Sequence, residues 1–460
     1  MKDLAKATIP GAAYDSSARD PPPRCHPETR LAVVERIQHF FADRNYNRSM
    51  MWLVGPAGVG KSAVMQTLAE NASLSTSNIQ LGASLFFSIN GRDDGSKAIT
   101  TLAYQLAVTH MPYHQYLKCL VLHDPELLHK SLATQFDRFI VKPFTILTEQ
   151  ANPGRQRFLI VIDGVDECLG HGTQCELLGL VAHFCINHPK SDLVWIVASR
   201  PEPHITAFFS SDEVIPAYLK EELVVDSDQA RMDVEKFLRD EFRRIQKKSP
   251  TLVHLPRWPT ENDFLPIAAA SDGLFAYGST AIRFIYDSAY GNPASRLRQL
   301  LEVIASVRVR GVKGKLHPMA DLDALYARIL SQVPQDILSD TKKLFLLILK
   351  PHDDFSYMET WCDWLGMSLD SVHGAVHQLH SVLNIPPGAA VKDRLITTFH
   401  KSFCDFLRDP SRSGLFPDIK REAEELNASC ALRILREALT GMKTIFWSNT
   451  QVIVANLSIS

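Results

Sequence analysis

The chain has 460 residues, which corresponds to about three folding units at roughly 150 residues per domain. Charged residues make up 22% and hydrophobic residues 45% of the sequence, a composition typical of globular proteins with buried cores. The formal net charge is −2, from 49 Lys and Arg against 51 Asp and Glu, and this argues against a nucleic-acid coat or a polybasic membrane binder, because both depend on a positive excess.

The apolar runs and the cysteines indicate the cellular compartment in which we expect the protein. The longest apolar runs, such as residues 158–162 and 344–349, are far shorter than the ~20 residues that span a bilayer. Residues 1–11 contain two lysines but no long apolar core, so they do not resemble a secretory signal peptide. Eight cysteines without C-x-x-C spacing favour free thiols in a reducing compartment over disulfides or a zinc site. We therefore expect a cytoplasmic protein without a membrane segment.

Residues 27–225, which follow a leader of residues 1–26, have the pattern of an α/β domain. Apolar runs without polar alternation predict strands that are buried on both faces of a sheet. These runs occur at residues 50–54, 81–87, 158–162 and 193–198. Amphipathic helical stretches separate them, and strands that alternate with helices indicate a parallel sheet with helices on both faces.

Two further units are predicted in the second half of the chain. Residues 226–311 contain amphipathic helical patterns and predict a small α-helical domain. Residues 316–425 open with helices, contain a helix–turn–helix-like passage, and continue into a segment at 381–398 that predicts a β-hairpin or wing around Pro386-Pro387-Gly388. Residues 426–460 are expected to form a C-terminal helix and a tail without a recognisable pattern.

A glycine-rich loop directly follows the first predicted strand. The segment Gly55-Pro56-Ala57-Gly58-Val59-Gly60-Lys61-Ser62 matches the Walker A pattern G-x-x-x-x-G-K-[ST] and precedes a predicted helix. Its glycines let backbone N–H groups turn toward a phosphate, and the helix N-terminus adds a partial positive charge. We expect Lys61 to reach the β- and γ-phosphate oxygens and the Ser62 hydroxyl to bind Mg²⁺. This context predicts nucleotide binding rather than a turn without a ligand.

An acidic motif of the Walker B type ends the third predicted strand. Asp163 is placed at the carboxyl edge of the sheet, where ligands of α/β proteins bind, and is expected to hold the Mg²⁺ shell. Asp166 and Glu167 are candidates to orient or deprotonate an attacking water, and the sequence leaves open which of them is the base. Arg200, after the fourth strand, is either a sensor of the γ-phosphate or a surface arginine that ends the strand.

These motifs resemble those of the NACHT class of STAND signalling NTPases. The resemblance is carried by the Walker A loop, by Asp163-Gly164-x-Asp166-Glu167 and by Ser199-Arg200-Pro201. Segments that resemble NACHT proteins of mushroom-type fungi are residues 11–16, 25–27, 101–106, 272–275 and 400–407. The resemblance covers about residues 8–440 and implies the order NACHT P-loop NTPase, helical domain, winged-helix domain.

The resemblance also implies a role for His400. Proteins of this class place a winged-helix histidine against the β-phosphate of ADP, and His400 stands where that histidine is expected. A ring N–H that donates to a phosphate oxygen would tie a distant domain to the nucleotide. The alternative is a histidine that caps a helix or packs in a core.

The function implied by the resemblance is a nucleotide-dependent signalling switch, in innate-immunity-like or self/non-self signalling. ADP would hold a closed state, exchange for Mg-ATP would favour an open and self-associating state, and slow hydrolysis would reset it. Its effector proteins are unknown, and DNA is not an expected partner because the candidate groove-reading helix, 368–379, has no Lys or Arg. A fast-cycling P-loop ATPase and a truncated nucleotide-binding protein that does not signal remain as alternatives.

Overall fold

The computed structural model describes residues 1–43, 48–74, 79–149, 156–287, 290–309, 319–349, 358–386 and 395–439. Contacts group the chain into two compact units. The first unit is Met1–Arg328 together with His400–Ser402. The second unit takes in the described residues of Ile329–Phe399 and Phe403–Ser460.

Within the described residues, the first unit contains a five-stranded parallel sheet. Its strands are β1 (Met50–Val54), β2 (Ile79–Phe86), β3 (Arg157–Asp163), β4 (Leu193–Ser199) and β5 (Tyr218–Glu222). They lie in the order β2-β3-β4-β1-β5, and every neighbouring pair is parallel. The four strands predicted from apolar runs are confirmed. Since parallel strands share one carboxyl edge, the residues that follow β1, β3 and β4 meet there.

Both faces of this sheet are buried. Successive residues of β1 alternate between two hydrophobic clusters, with Met50, Trp52 and Val54 in one and Met51 and Leu53 in the other. Such burial on both sides is the reason why the strands of a parallel sheet have continuous apolar sequences. The prediction of an α/β fold with helices on both faces of a parallel sheet is thereby confirmed.

Helices alternate with these strands along the chain. Those before β5 are α1 (Lys2–Lys6), α2 (Leu31–Ala42), α3 (Lys61–Leu74), α4 (Ala98–Thr109), α5 (Met111–His123), α6 (Leu132–Phe136), α7 (Lys142–Glu149), α8 (His171–Asn187) and α9 (Pro203–Phe209). A π-helical turn, Asp137–Val141, joins α6 to α7. Helix α3 matters most for the site, because it begins at Lys61 of the Walker A loop.

The segment predicted as a leader packs onto the α/β domain. Leu4, Ile9 and Ala12 are buried in the hydrophobic cluster that also contains Trp52. The backbone N–H of Phe86, the last residue of β2, donates a hydrogen bond of 2.9 Å to the carbonyl of Ala12. These residues are therefore an integral part of the first unit.

After β5 the described part of the first unit is helical. Its helices are α10 (Asp228–Lys248), α11 (Glu261–Ser271), α12 (Phe275–Ile285), α13 (Pro293–Val309) and α14 (Ala320–Leu330, whose last two residues group with the second unit). Helix α10 begins behind Ser227, whose side chain accepts a hydrogen bond of 3.2 Å from the backbone N–H of Ala230. This is a typical N-cap, and it satisfies one of the backbone donors that a helix start leaves unpaired.

The second unit combines helices with a short pair of antiparallel strands. Its elements are α15 (Leu338–Leu349), α16 (Met358–Leu365), α17 (Leu369–Val376), β6 (Leu383–Asn384), β7 (Thr397–Thr398), α18 (Lys401–Arg408, whose first two residues group with the first unit), α19 (Pro410–Ser413) and α20 (Ile419–Leu439). Strands β6 and β7 pair antiparallel. The predicted turn at residues 387–388 and the tail 444–460 lie outside the described residues. Across the described ranges, no helix has both the length and the apolar character needed to cross a bilayer.

Candidate functional site

The residues that the sequence singles out meet at the carboxyl edge of the parallel sheet. Val54 of β1 pairs with Ser199 of β4. The residues that follow them, Gly55 at the start of the Walker A loop and Arg200, therefore leave neighbouring strands at the same edge. Strand β4 also pairs with β3, which ends at Asp163. The topology therefore brings the phosphate-binding motif, the Walker B acid and the candidate sensor arginine to neighbouring strand ends.

The Walker A loop is held in shape by its glycines and by two other segments. Gly58 and Gly60 have φ values of +78° and +100°, a backbone region that favours glycine. The backbone N–H of Ala276 on α12 donates to the Gly58 carbonyl at 3.1 Å. The Arg30 guanidinium donates to the Val59 carbonyl at 3.0 Å. The loop is thus pre-shaped by contacts from the helical region and from the residue before α2.

Lys61 is the cation of this loop. Its Nζ donates hydrogen bonds of 2.7 and 2.9 Å to the carbonyls of Gly55 and Pro56. Burial lowers the pKa of Lys61 to about 8, against the opposing effect of the Asp166 and Asp163 carboxylates. Because Lys61 also begins α3, its ammonium and the helix N-terminus place positive charge at the same point. These features fit the phosphates of a nucleotide.

Ser62 and Asp163 fit a divalent cation. Burial raises the pKa of the Asp163 carboxyl above its usual range, although the nearby Ser62 hydroxyl lowers it. Oδ1 of Asp163 is buried and has no hydrogen-bond partner among the described residues. A buried carboxylate oxygen is costly without a compensating donor or cation. Since Mg²⁺ takes one or two carboxylates together with phosphate oxygens, this pair could bind it beside a bound nucleotide.

Arg19, which the sequence analysis did not single out, lies close to Asp163. Its NH1 donates to the Tyr14 carbonyl at 3.0 Å and to Oε1 of Gln66 at 2.6 Å, and its guanidinium lies 3.6 Å from the centre of the Phe86 ring. Burial lowers the pKa of Arg19 to about 10, and the Asp163 charge is the largest opposing effect. Arg19 therefore supplies positive charge near the Walker B acid, and no motif spacing could have indicated it.

Asp166 is surrounded by cations. Its Oδ1 accepts a hydrogen bond of 3.1 Å from the backbone N–H of Arg200, whose Nε lies 3.4 Å from Oδ2. The Nζ of Lys401 lies 3.0 Å from Oδ2 and donates to the Asp166 carbonyl at 3.1 Å. Burial opposes ionisation of Asp166, but Lys401 and Arg200 outweigh it and lower the pKa of the carboxyl below its usual range.

Glu167 has a different environment from that of Asp166. Its Oε2 accepts a hydrogen bond of 3.2 Å from the backbone N–H of Ile89. Burial raises the pKa of Glu167 to about 7, and the Asp166 charge acts in the same direction. A carboxylate with a pKa near the working pH is a better proton acceptor than one with a depressed pKa. Of the two acids, Glu167 is therefore better suited to act as a base.

His400 lies at the Walker A loop with a defined tautomer. The backbone N–H of Ser402 donates to its Nδ1 at 3.1 Å, and the Ser402 hydroxyl, which also bonds Tyr326 at 2.8 Å, lies 2.5 Å from the same nitrogen. Because a backbone N–H can only donate, Nδ1 is an acceptor and the neutral ring carries its proton on Nε2. Burial and neighbouring cations lower the pKa of His400 to about 3. Its Cε1 lies 3.5 Å from the place where a Cβ on Gly58 would stand.

The turn that precedes α12 contains a glycine that cannot accept a side chain. Gly273 has a φ of +80°, and a Cβ there would lie only 2.0 Å from the carbonyl oxygen of Val225. We expect Gly273→Ala to cost ~2 kcal/mol or more, since it combines left-handed backbone with a backbone clash, and to lower the melting temperature by several degrees in calorimetry. The control is Gly172→Ala on α8, where a Cβ meets nothing within 4 Å. Equal melting of both variants and the wild type would contradict this close approach.

The chain is similar to known proteins over part of its length. The family model described as Nephrocystin 3, N-terminal, matches residues 34–200, a stretch that contains the Walker A loop, the acids after β3 and Arg200. No curated protein matches the chain. One similar solved structure is that of Drosophila ORC bound to DNA, with 13% sequence identity and a TM-score of 0.34 over 85% of this chain and 97% of that chain, a likeness too low to carry an argument. Over residues 34–200, the chain is thus similar to the N-terminal part of nephrocystin 3.

Proposed function

We propose that the protein is a nucleotide-dependent switch of the STAND class, built on a NACHT-type P-loop NTPase domain that binds ATP and ADP with Mg²⁺. The observation that carries this proposal is the meeting of the Lys61 loop, the orphaned carboxylate oxygen of Asp163 and Arg200 at one edge of the parallel sheet. This is the edge at which ligands of α/β proteins bind. The resemblance of the motifs to NACHT proteins supports the same reading.

Each residue of the site has a role in this proposal. Backbone N–H groups of the loop and Lys61 bind the phosphates, and Ser62 with Asp163 holds Mg²⁺, which neutralises phosphate charge when it is bound. Arg200 contacts the γ-phosphate, because its planar guanidinium matches phosphate geometry. Glu167 accepts the proton of the attacking water, and its hydrogen bond from Ile89 fixes the carboxylate.

The switch depends on a difference in affinity between two states. His400 is grouped with the first unit, whereas Phe399 is grouped with the second, a winged-helix domain in this proposal. With its proton on Nε2, His400 donates to the β-phosphate of ADP and so favours a closed state. Exchange for ATP favours an open, self-associating state that acts on effector proteins, and slow hydrolysis restores the first state. The proposed setting is innate-immunity-like signalling in the cytoplasm of a fungus.

Calorimetric titration of the protein, freed of any bound nucleotide, with ATP, ADP and GTP, with and without Mg²⁺, tests nucleotide binding. We expect ADP and Mg-ATP to bind, and removal of Mg²⁺ to weaken ATP more than ADP, since the γ-phosphate adds charge that the metal neutralises. Folded protein that binds none of these nucleotides would overturn the proposal. Binding together with turnover many-fold above about one per minute would instead favour a fast-cycling ATPase.

We further expect the protein, purified without added nucleotide, to carry bound ADP, and His400→Ala to lower its retention. Loss of one hydrogen bond to a charged group costs ~1.5–3 kcal/mol, or roughly ten- to a hundredfold in affinity. The measurement is the amount of nucleotide released on denaturation. His183→Ala, which removes an exposed histidine on α8, is the control and should retain ADP like the wild type. Equal ADP content in all three proteins would remove His400 from the mechanism.

A further inference from the structure

Lys401 contacts Asp166 of the acidic motif after β3, a contact that the sequence motifs do not predict. It lies between His400 and Ser402, and these three residues are grouped with the first unit while Phe399 and Phe403 on either side are not. Its Nζ bonds both the side chain and the backbone carbonyl of Asp166, at 3.0 and 3.1 Å. One side chain thus fixes residues 400–402 to the segment that follows β3.

The bond is well shielded from solvent. The exposed fraction of the side chain is 3% for Asp166, 13% for Lys401 and 15% for Arg200. Lys401 makes the closer approach to Oδ2, at 3.0 Å, against 3.4 Å for Nε of Arg200. Without Lys401 the shielded Asp166 carboxylate keeps only the more distant Arg200 as a compensating cation, so the loss is larger than for a surface pair. Lys401 is therefore a main source of positive charge for Asp166.

The same contacts separate the roles of the two acids. Oδ1 of Asp166 accepts from the Arg200 backbone and Oδ2 faces the ammonium of Lys401, so the carboxylate is committed to protein donors. Glu167, bonded by the backbone N–H of Ile89, is left as the acid for the water. The arrangement makes Asp166 an anchor rather than a base.

Resting on the function proposed above, we propose that Lys401 is a positioning residue of the nucleotide site, which anchors residues 400–402 to Asp166 and so holds His400 at the Walker A loop. The two residues that follow His400 fix it: the backbone N–H of Ser402 sets its tautomer, and the bond from Lys401 to Asp166 sets its place. The bond between Lys401 and Asp166 then acts with ADP to maintain the closed state. Its loss accelerates ADP release without removing any group that contacts the phosphates.

Release of fluorescent ADP, measured by stopped flow, tests this anchor. We expect Lys401→Met to speed release at least tenfold, which corresponds to a loss of ~1.4 kcal/mol or more in the closed state. Methionine keeps the long apolar stem of the side chain, and Lys401→Arg keeps the charge and should stay within about threefold of the wild type. Lys118→Met, at an exposed lysine on α5, is the matched control and should leave release unchanged.

Asp166→Asn tests the same bond from its other end and keeps the inference testable if Lys401→Met does not fold. It should also speed ADP release, and the double variant should release ADP no more than about twofold faster than the faster single variant, because both changes break one bond. Additive effects, or ADP release at the wild-type rate from folded Lys401→Met, would overturn the anchor. A folded, nucleotide-free wild-type protein that binds no ADP in calorimetry would instead overturn the proposed function, and the anchor with it.

Discussion

Lys61→Met is expected to weaken both ATP and ADP binding at least a hundredfold in calorimetric titration. The Lys61 ammonium stands at the start of α3, where it adds a full charge to the partial charge of the helix N-terminus. Hydrogen bonds from a charged donor contribute ~1.5–3 kcal/mol each, and two of them to phosphate oxygens account for a loss of this size. The fold should survive, since burial already lowers the pKa of Lys61 to about 8 and methionine removes a charge that is costly to bury.

Two controls make the result specific to the loop. Lys118→Met removes an exposed lysine on α5 and should bind nucleotide like the wild type. Thermal unfolding of the apo protein should give similar melting temperatures for both variants, which shows that lost binding is not lost folding. If Lys61→Met bound ATP as tightly as the wild type, the loop of residues 55–62 would not be a phosphate-binding loop.

The strands show how far apolar patterning predicts this fold. Strands β1 to β4 are continuous apolar runs because both faces of the sheet are covered, and each was predicted within a few residues. Strand β5, with the sequence Tyr-Leu-Lys-Glu-Glu, was missed. Among the strands of the described residues it pairs with β1 alone, and so it forms an edge of the sheet. An edge strand is partly exposed and tolerates charged residues, so it leaves no apolar run to find.

For the site, too, the sequence predicts residues that form short motifs but not residues that come together from distant parts of the chain. The sequence predicts the Walker A loop and the acids after β3, because each is a short run of residues whose spacing follows from the chemistry of phosphate and metal. It does not predict Arg19, Lys401 or Tyr326, because their contacts join segments that are far apart in the chain. No rule of spacing connects such residues, and only the folded structure brings them to the site.

Glu167→Gln is the variant for which we expect the largest loss of ATP hydrolysis. A positioned general base contributes about 10²–10⁴-fold, so turnover should fall by that factor while ADP binding stays within about twofold of the wild type. Asp166→Asn should retain hydrolysis, because Asp166 is committed to Lys401 and Arg200. Steady-state phosphate release measures both variants. Loss of turnover in Asp166→Asn but not in Glu167→Gln would reverse the two assignments.

The pH dependence of turnover provides a separate test of the same residue. The pKa of Glu167 is about 7, because burial and the charge of Asp166 raise it while the charges of Lys401 and Arg200 lower it. A carboxyl group accepts a proton only when it is ionised, so the wild-type rate should be high above pH 7 and fall about tenfold per unit below it. Because the charge of Lys401 favours ionisation of Glu167, the Lys401→Met variant should have its midpoint at higher pH. A turnover rate that is flat between pH 5.5 and 8.5 would show that Glu167 is not the base, since its protonation must cross this range to matter.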